Sequence, residues 1–587
     1  MLRECLEVFQ HKLNESGGKL VLDTYVPADG TYLIIDRNGK VKTHTDIVKD
    51  KKTKQIDRNV PGFAQICFYD YQSQLISMNK PMDPKKIIHS NNYLSFFIKK
   101  ESLISGKLTQ AIIEDYYETL KDPLGRKYKK SKEASRIYEL FKDEEGDVAR
   151  ESVEGKESWI VEHIFDIGQL DSTIDLRRKD YLKIFFEAED FEYEREARRY
   201  FLPHIYNSNE YNMEIEHTIY GMPDNNLGMN AKKPFLSVKS TKCAAPYLLN
   251  RDGVMLQKQF FDYLMNLVSE GKYHIYVDTV RKEIEGCVNG QAPNRVEAGY
   301  YLRLRKGKKE AEIYEQDNIS GYKRNLRSEF MLCPFLGNIY IKHPEYREKY
   351  GNYNDRIAVG RLIDEIFFLN FLENNYTVDA GDINIKDETL KQSILKSRES
   401  VFAWVFKGDD HGIWPILDKT GLKMMKSCAE KGYIERVKLQ FDLRYSLKKY
   451  FSKEKGEVMG EEIITGLRET VEEKVFSNVL KPVESDEEYY YCVGQLTAYL
   501  LSLSKANDRK HSLLNPILNA KTDREIKERI LRLYKKYNYA IVDGPRRIKN
   551  LLGMVEGYAP DSETNVDQEK ILLGYVCDNV MYKKEGK

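Results

Sequence analysis

The chain has 587 residues, with 93 Lys and Arg against 92 Asp and Glu, and 41% of its residues are apolar. This length allows three or four domains with real cores, whereas the balanced charge excludes a protein that is basic throughout, so any nucleic-acid role must depend on local patches. The eight cysteines are scattered without a CxxC pair, which argues against a disulfide framework and indicates a reducing, cytoplasmic location.

Targeting and membrane segments are not expected. Residues 1–12 carry Glu4 and Glu7 and lack the apolar stretch of a signal peptide. No run of about 18 apolar residues occurs, so we predict no membrane contact.

The N-terminal stretch predicts a helix, a strand and a hairpin. Residues 1–25 favour a helix followed by an entry strand, separated at Gly17 and Gly18. Asn38-Gly39 lies between two β-prone runs, which is the strongest short signal for a hairpin. We therefore predict a β-hairpin over residues 31–48.

A loop rich in asparagine and lysine follows, and aromatic residues come directly after it. Pro81 and Pro84 favour an extended path through this loop. Such side chains suit contact with a phosphate backbone, although a solvated loop before a buried strand explains them equally well. The candidate contacts are Asn79, Lys80, Lys85, Lys86, Asn91 and Asn92.

Residues 105–145 are predicted to be largely helical. They contain a basic run of Arg126, Lys127, Lys129, Lys130 and Lys132. A charge run of this kind is usually a solvated face, and we assign it no other role.

The stretch Tyr220 to Pro234, YGMPDNNLGMNAKKP, is the most distinctive loop of the chain. Gly221, Pro223 and Gly228 interrupt any helix or long strand. Its amides and ammonium groups can reach a base edge or a phosphate, whereas turn chemistry alone also selects Gly, Pro and Asn. The candidate contacts are Asn225, Asn226, Asn230, Lys232 and Lys233.

Strand and core signals continue as far as about residue 355, and helices dominate beyond it. Phe260, Phe261, Leu264 and Leu267 have helical spacing and are predicted to lie in the core. Residues 274–277 and 300–305 are predicted strands. Four Gly and Pro residues cluster between 408 and 421, so we predict a linker at 405–429.

Residues 430–587 are predicted to form a helical bundle. Val493, Leu496, Leu500 and Leu503 make one apolar stripe, and Ile526, Ile530, Leu533 and Tyr537 make another. Thr522 begins a capping-box pattern. Residues 501–550 carry 13 Lys/Arg and 5 Asp/Glu, a basic face that suits single-stranded nucleic acid or is simply solvated. Its candidate contacts are Lys535, Lys536, Arg546, Arg547 and Lys549.

These elements predict an α+β fold in which a mixed α/β N-terminal and central region precedes the C-terminal helical bundle. We expect an N-terminal α/β region at 1–150, a central α/β region at 151–404, the linker at 405–429 and the bundle at 430–587.

Motifs for catalysis are absent from the sequence. There is no GxxxxGK[ST] loop and no HExxH. Asp409-Asp410-His411 is the nearest approach to a metal cluster. We predict no catalytic residues, no metal and no cofactor.

Three long segments together resemble one family. They are SMNKPMDPKKIIHSNNYLSFF, YGMPDNNLGMNAKKP and YCVGQLTAYLLSLSKANDRKHSLLNPILNAKT. The combination resembles the large subunit of the type I-B CRISPR Cascade complex, over most of the chain. Some relatives carry a cysteine-rich zinc module in mid-chain, but Cys287 and Cys333 stand alone here, which puts zinc in doubt.

The resemblance implies a subunit of an antiviral complex. Such a subunit reads the motif adjacent to the DNA target (the PAM), stabilises the guide RNA and the R-loop, and helps to recruit a helicase–nuclease. The implied partners are CRISPR RNA, target double-stranded DNA, the Cascade backbone and handle-binding subunits, a small subunit and the helicase–nuclease. The family also suggests that Met425 or Met459 could start a separate small subunit.

Two other classes of function stay open at this point. One is a metal-dependent nuclease whose site is assembled from carboxylates distant in sequence. The other is a protein-only scaffold, which would show no salt-dependent binding of nucleic acid.

Overall fold

The chain folds into two compact units, Met1–Gly321 and Tyr322–Lys587. The computed structural model describes residues 1–53, 55–206, 212–223, 248–307, 311–336, 343–452, 460–505, 511–541, 546–561 and 566–583. The first unit combines helices with sheets, and the second is mainly helical. The predicted α+β class with a helical C-terminal region is therefore confirmed.

The first unit contains elements α1–α10 and β1–β11. Its helices are α1 (Leu2–Glu15), α2 (Leu20–Asp23), α3 (Phe63–Ser73), α4 (Lys100–Ile104), α5 (Gln110–Lys121), α6 (Lys132–Glu145), α7 (Arg150–His163), α8 (Ile167–Leu170), α9 (Asp190–Phe201) and α10 (Arg251–Ser269). Its strands are β1 (Gly30–Ile35), β2 (Val41–Ile47), β3 (Ser95–Lys99), β4 (Tyr181–Phe186), β5 (Met213–Ile215), β6 (Thr218–Tyr220), β7 (Lys272–Asp278), β8 (Glu283–Val288), β9 (Arg295–Val296), β10 (Gly299–Lys306) and β11 (Ala311–Ile319).

The first sheet has the strand order β2-β1-β4-β3. β1 and β2 form the predicted hairpin, which is confirmed. β1 pairs in parallel with β4, and every residue of β1 is buried, as is usual for a strand covered on both faces. The core of this sheet includes residues from α3, α5, α7 and α9.

The second sheet is antiparallel, with the order β11-β10-β7-β8. α1 and α10 pack on it, and Phe260, Phe261, Leu264 and Leu267 belong to their shared core, as predicted. The predicted strands at 274–277 and 300–305 are confirmed as β7 and β10. The entry strand before residue 25 is wrong, because Leu20–Asp23 closes a helical turn that buries Val21 in this core.

The second unit contains elements β12–β14 and α11–α20. Its strands are β12 (Tyr322–Lys323), β13 (Asn325–Leu332) and β14 (Gly351–Asp355). Its helices are α11 (Arg356–Phe368), α12 (Glu388–Phe402), α13 (Ile413–Glu430), α14 (Ile434–Phe451), α15 (Gly460–Phe476), α16 (Asp486–Ser502), α17 (Asn515–Leu518), α18 (Asp523–Tyr537), α19 (Arg546–Gly557) and α20 (Gln568–Val576).

α16 is the central helix of the C-terminal bundle. Its residues from Glu488 to Thr497 are all buried, and α15, α18, α19 and α20 all contact it. α18 begins after Thr522, whose hydroxyl accepts a hydrogen bond from the Glu525 N–H at 3.2 Å. The predicted stripe on α18 is buried throughout, so its polar face is directed outward.

The predicted linker at 405–429 is wrong, because most of it forms α13. Gly408 and Gly412 have positive φ and lie just before this helix, and Pro415 occupies its first turn, where a missing N–H is tolerated. Gly421 lies inside α13, where an added Cβ would stand 3.0 Å from the Phe367 ring. Here the glycines and the proline position a packed helix.

Candidate nucleic-acid interface

The first Asn/Lys loop is built around one buried carboxylate. The two oxygens of Asp83 accept hydrogen bonds from the N–H groups of Lys85 at 2.8 Å, Ile87 at 2.7 Å and Ile88 at 3.0 Å. Lys86 takes a left-handed conformation in the resulting turn. As a consequence Lys85 and Lys86 are exposed while the carboxylate beneath them is buried.

Asn91 and Asn92 do not face solvent, and the prediction that they contact nucleic acid is withdrawn. Both are about 2% exposed. The Asn91 amide donates to the carbonyl oxygens of Gln72 at 3.0 Å and Gln74 at 2.7 Å. The Asn92 amide donates to Asn91 at 2.8 Å and accepts from the Leu94 N–H at 2.9 Å. These amides satisfy backbone groups in the turn that leads to β3.

Lys80 and Lys127 are anchored by backbone carbonyl groups. The Lys80 ammonium donates to the oxygens of His204 at 2.8 Å and Tyr206 at 2.9 Å. The Lys127 ammonium donates to the oxygen of Pro81. This last contact brings the basic run at 126–132 against the Asn/Lys loop, although about 40 residues of sequence separate the two.

The two lysine runs come together where Lys127 contacts the first loop. We call Lys85, Lys86, Lys127, Lys129 and Lys130 the N-terminal basic surface. Burial lowers the pKa of Lys127, and the nearby Lys86 ammonium lowers it further. Within the part of the chain that the structure describes, no ion pair is formed by Lys85, Lys86, Lys129 or Lys130. Exposed ammonium groups that pair with no described carboxylate can take a phosphate as their counter-ion.

His204 lies beside this surface but is neutral at physiological pH. Burial lowers the pKa of its imidazole to about 3, and the Lys80 and Lys127 ammonium groups contribute to the shift. Its Nδ1 lies 2.8 Å from the Tyr200 carbonyl oxygen. His204 therefore adds no positive charge to this surface.

The sequence does not predict the contact between Lys127 and the Asn/Lys loop, since it assigns this basic run to a solvated face. No local signal could have placed Lys127 beside this loop, because the contact is made by tertiary packing. Asn79, by contrast, is exposed at the edge of this loop, where a base or phosphate could reach it.

The second predicted loop is described only at its start. Gly221 and Leu249 exchange two backbone hydrogen bonds of 3.0 Å, which brings the two ends of the connection close together. Asn225, Asn226, Asn230, Lys232 and Lys233 lie outside the described residues.

A second basic surface lies on α18. Arg532, Lys535 and Lys536 are exposed on the side opposite the buried stripe. We call these three residues the C-terminal basic surface. In the described part of the bundle none of them forms an ion pair, whereas Arg529 earlier in the helix pairs with Glu525 at 3.2 Å.

The basic residues of α19 differ in their surroundings. Arg546 donates to the Phe476 carbonyl oxygen at 3.2 Å. Arg547 donates to the Lys583 carbonyl oxygen at 2.6 Å and lies 4.0 Å from the centroid of the Phe476 ring. Both arginines therefore secure α19 to its neighbours, while Lys549 is exposed.

The acidic side chains of the Asp409-Asp410-His411 segment are paired with other side chains. Asp410 pairs with Arg356 at 2.9 Å and with Arg327 at 3.1 Å, so its carboxylate is already neutralised. His411 contacts Asp409 at 2.8 Å. Among the described residues no three His, Cys, Asp or Glu side chains are grouped as metal ligands would be.

None of the described helices combines the length and the apolar character that crossing a bilayer requires.

Comparisons of this chain with protein-family models, with curated proteins and with solved structures gave no match. The family resemblance therefore depends on the three sequence segments alone.

Proposed function

We propose that this chain is the large subunit of a CRISPR RNA-guided DNA surveillance complex of the type I-B Cascade kind. In this role it binds the guide RNA and the target DNA through its two basic surfaces and does no chemistry itself. In such complexes base pairing with the guide reads the sequence, and protein contacts read a short duplex motif and hold the backbones.

One observation supports the proposal most strongly. The N-terminal basic surface takes its lysines from two runs that are distant in sequence and that meet where Lys127 contacts Pro81, and a buried carboxylate fixes its loop. A phosphate backbone supplies the anions that such a surface lacks. We also propose the partners that the resemblance implies. They are CRISPR RNA, target double-stranded DNA, the Cascade backbone and handle-binding subunits, a small subunit and the helicase–nuclease.

The test is a four-lysine variant of the N-terminal basic surface. We expect Lys85→Ala, Lys86→Ala, Lys129→Ala and Lys130→Ala together to weaken binding of the assembled complex to target DNA. Because each phosphate contact contributes about 0.9 to the slope of log K against log salt, the slope should become shallower by up to about 3.6. The measurement is an affinity titration over a range of salt concentrations.

A matched control removes the same charge elsewhere in the unit. Lys51, Lys52, Lys107 and Lys179 are also exposed and form no ion pair with another described residue. Their alanine variant should keep the wild-type slope. If both variants behave alike, the surface has no particular role and the proposal loses its main support.

A second experiment concerns the loop at residues 220–234. If Lys232 and Lys233 contact bases of the motif, the Lys232→Ala, Lys233→Ala variant changes the preference among motif sequences. If they contact only phosphates, the variant weakens binding to all sequences equally.

Two outcomes would favour the other classes of function. Cleavage of DNA by the purified chain with Mg²⁺ would indicate a nuclease, and the absence of salt-dependent binding of nucleic acid would indicate a protein scaffold.

A further inference from the structure

A hollow of about 540 Å³ opens on the surface of the first unit. It is lined by residues of α2 and α3, by Lys19 and Arg58, and by the first residue of α9, Asp190. Its volume lies within the range of about 300–1,000 Å³ that is typical of small-molecule sites. Half of its lining is apolar and includes Leu22, Phe63, Ala64, Cys67 and Phe68.

The aromatic part of this lining is held in place by the core beneath it. Phe63 and Phe68 are partly buried and pack against the core of the first sheet. Cys67 is buried, and burial raises the pKa of its thiol to about 12, so that it adds no charge. Rings fixed in this way offer a ligand a flat apolar face at little cost in side-chain entropy.

The guanidinium of Arg58 is already balanced by its neighbours. It donates to the carbonyl oxygens of Asp23 at 3.0 Å and Tyr25 at 3.2 Å, and it pairs with Glu270 at 3.2 Å. It also lies 5.6 Å from the centroid of the Phe63 ring. Arg58 therefore supports the wall of the hollow, and the ring of Phe68 is left for a ligand.

Three other charged side chains of the hollow are not balanced. The carboxylates of Asp23 and Asp190 and the ammonium of Lys19 are exposed, and none of them forms an ion pair with a described residue. Two carboxylates against one ammonium leave an excess of negative charge beside an aromatic ring. Such a ring also attracts cations through the negative potential of its face.

We propose that this hollow binds a small aromatic cation, that is, a planar ring carrying an ammonium group. The ring would lie against Phe68, with the ammonium near Asp23 and Asp190. An aromatic anion would meet two unpaired carboxylates, and a neutral ring would leave both without a counter-ion. The hollow shares no residue with the N-terminal basic surface, and this proposal does not depend on the proposed function.

The experiment measures binding of three indoles to the full chain by saturation-transfer NMR. Tryptamine, 3-methylindole and indole-3-propionate have the same ring and carry a positive charge, no charge and a negative charge. We expect tryptamine to bind about 2- to 5-fold more tightly than 3-methylindole, as one exposed cation–π or ion-pair contact allows. Indole-3-propionate should bind most weakly.

Variants separate the contribution of charge from that of the ring. The Asp23→Asn, Asp190→Asn variant should lose the preference for tryptamine and keep the wild-type affinity for 3-methylindole. Phe68→Ala should weaken binding of all three indoles, because it removes the face on which the ring lies. The exposed asparagines replace no packed side chain, so the first variant decides the question even if Phe68→Ala does not fold.

The matched controls are Phe165→Ala and Asp166→Asn. These two exposed residues place a ring and a carboxylate elsewhere on the first unit, outside the lining of the hollow. Both variants should bind tryptamine as the wild type does, and circular dichroism verifies that every variant is folded. Equal affinity for the three indoles, a preference for tryptamine that persists in the double asparagine variant, or an equal loss in the controls would overturn the proposal. Each of these results would leave the proposed function standing.

Discussion

Side chains of the same type have different roles within one short loop. Asn79, Asn91 and Asn92 are equivalent candidates in the sequence, yet Asn79 is exposed while the other two are buried amides that satisfy backbone groups. The lysines of the loop also divide, because Lys80 is tied to two carbonyl oxygens and Lys85 is exposed. Burial and local hydrogen bonding therefore decide which residues can meet a ligand.

The buried amides should affect stability and leave binding unchanged. In Asn92→Ala the Leu94 N–H and the Asn91 side-chain oxygen lose their partner, and a buried polar group left unsatisfied costs about 1–3 kcal/mol. We expect the free energy of unfolding to fall by about that amount in urea titrations, with nucleic-acid affinity unchanged at temperatures where the variant is folded.

Asn79→Ala is the control at the same loop. Because Asn79 is exposed, its loss should change the free energy of unfolding by less than about 0.5 kcal/mol. A weaker affinity together with unaltered stability in Asn92→Ala would contradict the structural role of this amide.

At the scale of elements, close approach between helices decides the packing of the bundle. α16 and α20 meet at two glycines, where a Cβ on Gly494 would stand 2.2 Å from the Ile571 carbonyl oxygen and a Cβ on Gly574 would stand 2.1 Å from the Tyr491 carbonyl oxygen. Only glycine allows these backbones to come so near each other. The central helix of the bundle is thus held at a distance that larger residues would not permit.

We expect Gly494→Ala to destabilise the bundle. The added methyl group must push α16 and α20 apart, and overpacking of this kind typically costs 1–3 kcal/mol or more. The matched control is Gly466→Ala in α15, where an added Cβ meets nothing within 4 Å. There alanine should raise the free energy of unfolding by about 0.5–1 kcal/mol, because glycine is a poor helix former. Thermal unfolding of both variants measures the difference, and equal effects would contradict the close contact.

A buried carboxyl group on α14 links stability to pH. Asp442 accepts hydrogen bonds from the Tyr350 hydroxyl at 2.8 Å and from the Leu336 N–H at 3.2 Å. Burial raises the pKa of Asp442 from its ordinary value of 3.8 to about 8, against the smaller lowering effects of Tyr350, the backbone and Lys438. At a pH between 3.8 and about 8, Asp442 keeps its proton in the folded chain and releases it in the unfolded chain.

The sign of the pH dependence follows from this difference. Because the folded state binds more protons, the contribution of Asp442 to the free energy of unfolding is complete below pH 4 and is lost as pH rises towards 8. We expect Asp442→Asn, which cannot ionise, to make the stability of the second unit less dependent on pH in this window. Denaturant titrations at several pH values test it. An Asp442→Asn variant with the wild-type dependence would show that Asp442 does not titrate in the window.

At the scale of the whole molecule, the first unit has separate cores at its two sheets, and the helices of the second unit pack around a core of their own. The core of the second unit draws on α13, α14, α15, α16, α18, α19 and α20. Met425 lies inside α13 and is fully buried in this core. A separate product that begins at Met425 would lack the first two thirds of α13, whereas one that begins at Met459 would keep α15–α20 intact.

We therefore expect two fragments of the second unit to differ. Residues 322–587 should unfold in one cooperative transition, because the fragment retains the complete core of the unit. Residues 425–587 should show a broader transition and lower helicity, since α11, α12 and two thirds of α13 are missing. Circular dichroism during heating compares them. A sharp transition in the shorter fragment would show that the bundle folds without the complete α13. Met425 would then be a suitable start for a separate small subunit.

Several elements were predictable because their signals are local. Asn38-Gly39 between β-prone runs determines the β1–β2 hairpin, and the apolar stripe from Ile526 to Tyr537, with Thr522 before it, determines α18. The linker prediction at 405–429 is wrong because it depended on the glycines around residue 410. A glycine occurs at helix boundaries and at close contacts between elements as well as in flexible connections.

The sequence by itself determined the α+β class, the helical C-terminal bundle and the presence of basic segments, since these depend on periodicity and composition within short windows. Tertiary structure alone decided the parallel pairing of β1 with β4, the burial of Asn91 and Asn92, and the meeting of Lys127 with the loop at residue 81. Contacts between distant segments depend on how all the elements pack together, and no short window of sequence contains that information.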